Sequence, residues 1–258
     1  MIIYKFKNYS YSTDDLFFDR VCEVKGVELY PVKARDYEEF LKYANYLIFS
    51  KKHLGIDKQK DFDLLNTIIM QMAMAKGSLE EEISTVLIEL CNLFKILTHR
   101  EINWQVSYEN GYEFTSEDNS VLINKNNFES IRRTILKMTL LKEPKIFERE
   151  IDRKWHEKAI KAREKNSPRL EFGEMVLLVS QDMKFTIEQV LELNIFQLRA
   201  YYGRIAQIYQ SETTRLFATA FEGVKPSPFA DSIFKELYDD HEEDLNITSG
   251  SLVDLLKD

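Results

Sequence analysis

The segment from Ser78 to Leu97 carries the clearest helical pattern in the chain. Its apolar residues recur every three or four positions, at Leu79, Ile83, Val86, Leu87, Leu90, Phe94 and Leu97. This spacing forms one wide apolar stripe, which is typical of a helix that packs against a core. Ser78 and Glu81 have the spacing of a capping box at the helix start.

Helical periodicity returns along most of the 258 residues, and the scarcity of glycine (8) and proline (5) favours long helices over a β-sandwich. We predict a helix that is capped by Asp36 and followed by a glycine stop at Gly55. A second helix is predicted from the cap Asp61 to Gly77. Further helices are predicted at 127–141, 145–165, 170–183 and 195–221, with a capping box at Thr186–Gln189.

Two regions change to the alternating period of β-strands. Residues 1–35 are predicted to form short strands, with apolar residues on both sides of a Lys25–Gly26 turn, and a longer alternating pattern spans 102–123. Asn110–Gly111 in this second region favours a type I′ hairpin turn, and Val121–Ile123 can add a third strand. The predicted fold class is therefore mainly α with a small antiparallel β component (α+β).

Composition divides the chain into three parts. Residues 1–142 form the predicted α+β N-terminal domain, and Pro144 follows it. Residues 143–222 form a predicted helical C-terminal domain, which opens on a helix rich in Lys and Arg. Residues 223–258 begin with a proline linker at 225–228 and continue as an acidic, partly flexible tail, since 222–258 holds ten acids and three bases.

The net charge of −8 disfavours nucleic acid as a partner. The basic helix 145–165 is an alternative nucleic-acid site, but its bases alternate with acids in pairs such as Glu150–Lys154 and Glu157–Lys161. No apolar run approaches the roughly 18 residues of a membrane span, and no signal peptide is visible. We therefore expect a protein that binds neither nucleic acid nor membranes.

The sequence shows no motif of a catalytic, metal or cofactor site. The four histidines lack ligand spacing, the glycines form no phosphate loop, and no nucleophile elbow occurs. Cys22 and Cys91 lie among apolar residues, which indicates reduced core cysteines. A Cys–His pair brought together by the fold stays open at this point. We expect a non-enzymatic protein without cofactors, with an unrecognised enzyme as the remaining alternative.

The C-terminal half resembles the tail assembly chaperones of long-tailed bacteriophages that infect Gram-positive hosts. In that family a T-x-E-x-[IVL]-x-x-[LM] element leads into an aromatic helix and then into a phrase similar to LFAT. The matching residues here are Thr186, Glu188, Val190, Leu193, Phe196, Gln197, Tyr201, Tyr202, Arg204, Ile205 and Leu216–Thr219. The P-V-K-x-x-D-Y-x-x-F phrase at 31–40 is also similar to the opening of these proteins, whereas the tail after residue 222 extends beyond the family's usual end.

The resemblance implies a chaperone that binds the tape measure protein, a long hydrophobic helical chain. Such a chaperone keeps this client soluble in the host cytoplasm until the tail tube polymerises around it. The tail tube protein is a further implied partner, and the chaperone can self-associate. The alternative is another helical phage structural or protein-interaction protein, including a component of the virion.

Candidate partner-binding residues are large apolar and aromatic side chains. They are Trp155, Phe196, Tyr201, Tyr202, Ile205, Tyr209, Phe217, Phe234 and Leu237. A place in the core is the alternative for most of those in 195–221, and Trp155 is either a core residue or an interface anchor. Tyr201 and Tyr209 are predicted to be exposed, because they lie on the less apolar side of their helix.

Overall fold

The computed structural model describes residues 12–56, 63–147, 149–166 and 170–220. It is mainly helical with two small antiparallel sheets, which confirms the predicted fold class. The helices are α1 (Thr13–Phe17), α2 (Tyr37–Tyr43), α3 (Asn45–Ile48), α4 (Leu64–Lys76), α5 (Leu79–Thr98), α6 (Phe128–Thr139), α7 (Glu150–Asn166), α8 (Phe172–Met183), α9 (Ile187–Leu191) and α10 (Ile195–Ala220). The strands are β1 (Cys22–Val24), β2 (Val27–Leu29), β3 (Ile102–Ser107), β4 (Gly111–Ser116) and β5 (Leu122–Ile123).

Side-chain caps fix several helix starts. The Ser78 hydroxyl accepts a hydrogen bond from the backbone N–H of Glu81, and Thr186 with Gln189 forms a complete capping box. The cap of α4 is Asp63, which accepts from the N–H of Asn66. The predicted cap Asp61 lies outside the described residues.

The helix predicted from Asp36 to Gly55 is shorter than expected. It begins at Tyr37 without a side-chain cap from Asp36, and its second part, α3, ends at Ile48. Phe49 takes an extended backbone conformation there, so the basic residues 51–53 lie in a turn and not in a last helical turn. The prediction of short strands in 1–35 was wrong at Thr13–Phe17, which form helix α1, because five residues are too few to show a helical period.

The larger sheet has the strand order β3–β4–β5, with β3 at one edge. Ser107 pairs with Gly111, so the β3–β4 loop contains three residues, and the prediction of a two-residue type I′ turn was wrong. Gly111, which follows this loop, has a positive φ and Asn110 does not, whereas a type I′ turn requires a positive φ at both of its central residues. The side-chain oxygen of Asn66 accepts from the N–H of Tyr112, and this bond holds the hairpin against α4.

One hydrophobic core connects the sheets and the helices. The α5 stripe supplies Val86, Leu87, Leu90, Leu93, Phe94 and Leu97, all at most 1% exposed. The core also includes residues beyond position 142, namely Val176 and Val179 of α8, Val190 of α9, and Ile195, Phe196, Leu198 and Ile205 of α10. The division into two domains at residue 142 stays a prediction, but the two regions share this core.

Arg132 of α6 is a fully buried charge. Its guanidinium donates hydrogen bonds to the carboxylates of Glu129 and Glu143 and to the backbone carbonyl of Leu47. Burial opposes the charge, but the hydrogen bonds from the guanidinium to Glu129 and Glu143 outweigh this effect and raise the pKa of Arg132. The network connects α6 to the end of α3 and to the segment after α6.

We predict that Arg132→Met lowers the free energy of unfolding by about 1–3 kcal/mol, since it leaves the buried carbonyl of Leu47 without its donor, whereas Glu129 and Glu143 are partly exposed. Urea unfolding followed by circular dichroism measures the change. The matched control is Arg133→Met, which removes an exposed ion pair to the same Glu129 and is expected to cost less than about 1 kcal/mol. Equal losses in the two variants would contradict the structural role of Arg132.

Candidate partner-binding surface

The beginning of α10 is fixed to the body of the protein by Asn194, which is completely buried. Its amide nitrogen donates to the carbonyl of Leu16 at 3.0 Å and to a carboxylate oxygen of Asp19 at 2.8 Å. Its amide oxygen accepts from the N–H of Gln197 at 2.8 Å. The backbone N–H of Ile195 also donates to the carbonyl of Val32. These bonds set the direction in which α10 leaves the core.

The core-facing stripe of α10 continues beyond the point where the body covers it. Leu198, Ile205, Ile208, Tyr209 and Leu216 follow one another at helical spacing along one face. Leu198 and Ile205 are at most 3% exposed, whereas Ile208 is 38%, Tyr209 50% and Leu216 71% exposed. A side of the helix that is buried in its first half is therefore open in its second half.

Phe217 lies beside this open face and is itself half exposed. We call Ile208, Tyr209, Leu216 and Phe217 the α10 stripe. The hydroxyl of Tyr209 donates a hydrogen bond to Asp182 of α8 at 2.9 Å, which positions the ring. That hydrogen bond and the carboxylate charge raise the pKa of Tyr209, so its hydroxyl stays protonated at neutral pH.

The structure separates the predicted binding residues into two groups. Phe196 and Ile205 are buried in the core, so they cannot contact a partner in this structure. Tyr201 was predicted to be exposed but is half buried, because its ring packs between those of Phe17 and Phe185. Tyr202 is also half buried against the core.

The other predicted residues are accessible or not described. Tyr209 and Phe217 belong to the α10 stripe. Trp155 is 66% exposed on α7, where the Lys158 ammonium lies 5.5 Å from its ring centroid, so it is not a core residue. Phe234 and Leu237 lie outside the described residues. Sequence reasoning did not select Ile208 and Leu216, although their spacing from Ile205 and Tyr209 is the signal that identifies the stripe.

Within the described part of the chain, no group of three or more His, Cys, Asp or Glu residues could hold a metal ion. No helix in these ranges combines the length and apolar character that a membrane span requires. Burial raises the pKa of Cys22 to about 12 and that of Cys91 to about 11. Both thiols are therefore neutral near pH 7, whereas the nucleophilic form of cysteine is the thiolate.

We predict that both thiols react with Ellman's reagent at pH 8 at least tenfold more slowly in the native protein than in urea. Unfolding returns each pKa toward its ordinary value and removes the steric protection, so the thiolate fraction and the access both increase. The absorbance of the released aryl thiolate gives the two rates. A native cysteine that reacts as fast as the unfolded chain would indicate an activated thiol.

Comparison with known proteins gives one distant relationship. No family model and no solved structure matches the chain. The chain is 26% identical over 226 residues to the SPbeta prophage-derived uncharacterized protein YomV of Bacillus subtilis (strain 168). The aligned region covers 85% of this chain and 88% of YomV, so the similarity extends well beyond one motif. The chain is therefore a distant homologue of a prophage-derived protein.

Proposed function

We propose that the chain is a non-enzymatic phage tail assembly chaperone that binds the tape measure protein. The observation that carries the proposal is the α10 stripe, an exposed apolar surface on a firmly anchored helix. The residues of the C-terminal half that resemble the chaperone family lie in α9, in α10 and directly beside α9, and the stripe includes Leu216 and Phe217 of the LFAT phrase. The distant relationship to a prophage-derived protein agrees with this proposal.

The stripe suits a helical client. Exposed residues at helical spacing form a narrow apolar surface against which an amphipathic client helix can lie lengthwise. The client in this proposal is hydrophobic and helical, so many of its segments have a suitable face. The stripe does not need a unique client sequence, which agrees with a chaperone that binds along a long chain.

The size of the stripe favours reversible binding. Complete burial of a large apolar side chain contributes about 1.5–3 kcal/mol. The loss of translational and rotational freedom, together with the ordering of side chains, offsets much of the sum over four residues. A single contact of this size is weak, and several chaperone copies along one client would increase the total affinity. The proposal places this exchange in the host cytoplasm, with release when the tail tube protein assembles around the client.

Co-expression tests the proposal. The tape measure protein encoded in the same genome is produced with this chain or without it, and the soluble fraction of the client is measured by quantitative immunoblot. We expect the wild-type chain to increase the soluble client at least fivefold. The double variant Leu216→Glu/Phe217→Glu should lose most of this effect, because it places two charges on the apolar stripe.

Ile88→Glu is the matched control, since Ile88 is 55% exposed on α5 and does not belong to the α10 stripe. It should retain the wild-type effect, and circular dichroism should show that all variants are folded. A client whose solubility does not depend on the chain would refute the chaperone function. Purified virions that contain the chain as a fixed component would support the alternative of a structural protein.

A further inference from the structure

Among the residues that the structure describes, strand β3 forms an open edge of the larger sheet, since the order of strands is β3–β4–β5. Its six residues, Ile102–Ser107, contain no charged residue, no proline and no glycine. Proteins usually protect such edges with lysine, proline, bulges or a covering element, because an open edge can pair with another strand. Strand β3 itself carries none of the protective residues.

The N–H and C=O groups of β3 that point away from β4 belong to alternate residues. The N–H of Ser116 donates to the carbonyl of Val121, so the backbone of Ser116 faces toward β5. In an antiparallel sheet successive residues face opposite sides, and Ser116 is opposite Ile102 in the β3–β4 register. It follows that Ile102, Trp104 and Val106 direct their N–H and C=O groups away from β4, toward the open edge.

The side chains of the same residues form an apolar surface that the core covers only at one end. Ile102 is 7% exposed, whereas Trp104 is 41% and Val106 67% exposed. Phe114, which is opposite Trp104 on β4, is fully buried. Trp104 makes an edge-on ring contact with Tyr112, 6.5 Å between centroids. The edge therefore combines unpaired backbone groups with apolar side chains that a neighbouring strand could cover.

We propose that β3 pairs antiparallel with β3 of a second copy of this chain, with Trp104 opposite Trp104 at a twofold axis. This register places Ile102 of each copy opposite Val106 of the other, so all three outward-facing residues enter hydrogen-bonded pairs. The two three-stranded sheets then form one continuous six-stranded sheet. A twofold contact of this kind needs only one self-complementary surface.

Charge disfavours the neighbouring register in which the axis moves toward the hairpin loop. When the axis passes through Trp104, Glu101 lies opposite Ser107 and Arg100 lies opposite Tyr108, so no like charges meet. A shift of the axis to Gln105 would place Glu101 opposite Glu109, and it would use Tyr108, which lies outside the strand. Strand β3 of a second copy suits this edge, because β3 is uncharged and is complementary to itself in the antiparallel register.

Sedimentation equilibrium of the full chain tests the dimer. We expect a monomer–dimer equilibrium whose dissociation constant rises at least tenfold in Trp104→Lys, since two ammonium groups then meet at the axis. Leu122→Lys is the matched control, because Leu122 is 44% exposed on β5, at the other edge of the sheet. This variant should dimerise as the wild type does.

A cross-linking test does not depend on the folding of the lysine variant. With Cys91→Ser as the background, Trp104→Cys should form a disulfide-linked dimer under mild oxidation, because hydrogen-bonded partners lie about 5.5 Å apart between Cα atoms. Tyr108→Cys should not, since four residues separate it from the axis on each copy, which amounts to roughly 27 Å in total.

A chain that is monomeric at all accessible concentrations would overturn the proposal. So would cross-linking that is as efficient at position 108 as at position 104, or an edge that pairs with a client peptide in place of a second copy. The inference does not rest on the chaperone function, because both measurements use the purified chain alone. Failure of one proposal is thus distinguishable from failure of the other.

Discussion

The burial of the α5 stripe is the constraint on which the rest of the structure depends. A helix of 20 residues cannot cover its own apolar side, so its stripe requires neighbours along its whole length. Helices α2 and α4 and strands β2 and β3 contact it, and the ring of Phe94 in the stripe meets those of Phe114 and Phe128 edge to face. Phe128 begins helix α6, which in turn contacts α10. The α10 stripe lies beyond this enclosure of α5, where its side chains are exposed.

Periodicity predicted the elements well wherever a segment was long enough to repeat its pattern. Helices α4, α5, α6 and α8 and the β3–β4 hairpin follow directly from apolar spacing and from caps such as Ser78. Short elements were not predictable in this way, since α1 contains only five residues. The loop length at Gly111 also escaped prediction, because a positive φ at this glycine fits both a two-residue and a three-residue loop.

The candidate surface was only partly predictable, for a different reason. The apolar face of helix α10 has the same chemistry at buried Ile205 and at exposed Leu216, so the sequence does not indicate which part of the face the core covers. That depends on where the helices packed against α10 end, which is a property of the whole fold. Phe196 and Tyr209 were selected together for this reason, although one is a core residue and the other lies at the surface.

The anchor at Asn194 has a consequence for how α10 is oriented. Both hydrogens of its amide nitrogen and one lone pair of its oxygen make hydrogen bonds. A carboxylate differs from this amide only in that nitrogen atom, and it has no hydrogens to donate. Replacement of that nitrogen by oxygen, as in Asn194→Asp, would place an anion against the carbonyl of Leu16 and the carboxylate of Asp19. The orientation of the α10 stripe, which begins about four helical turns away, thus depends on one nitrogen atom of a buried side chain.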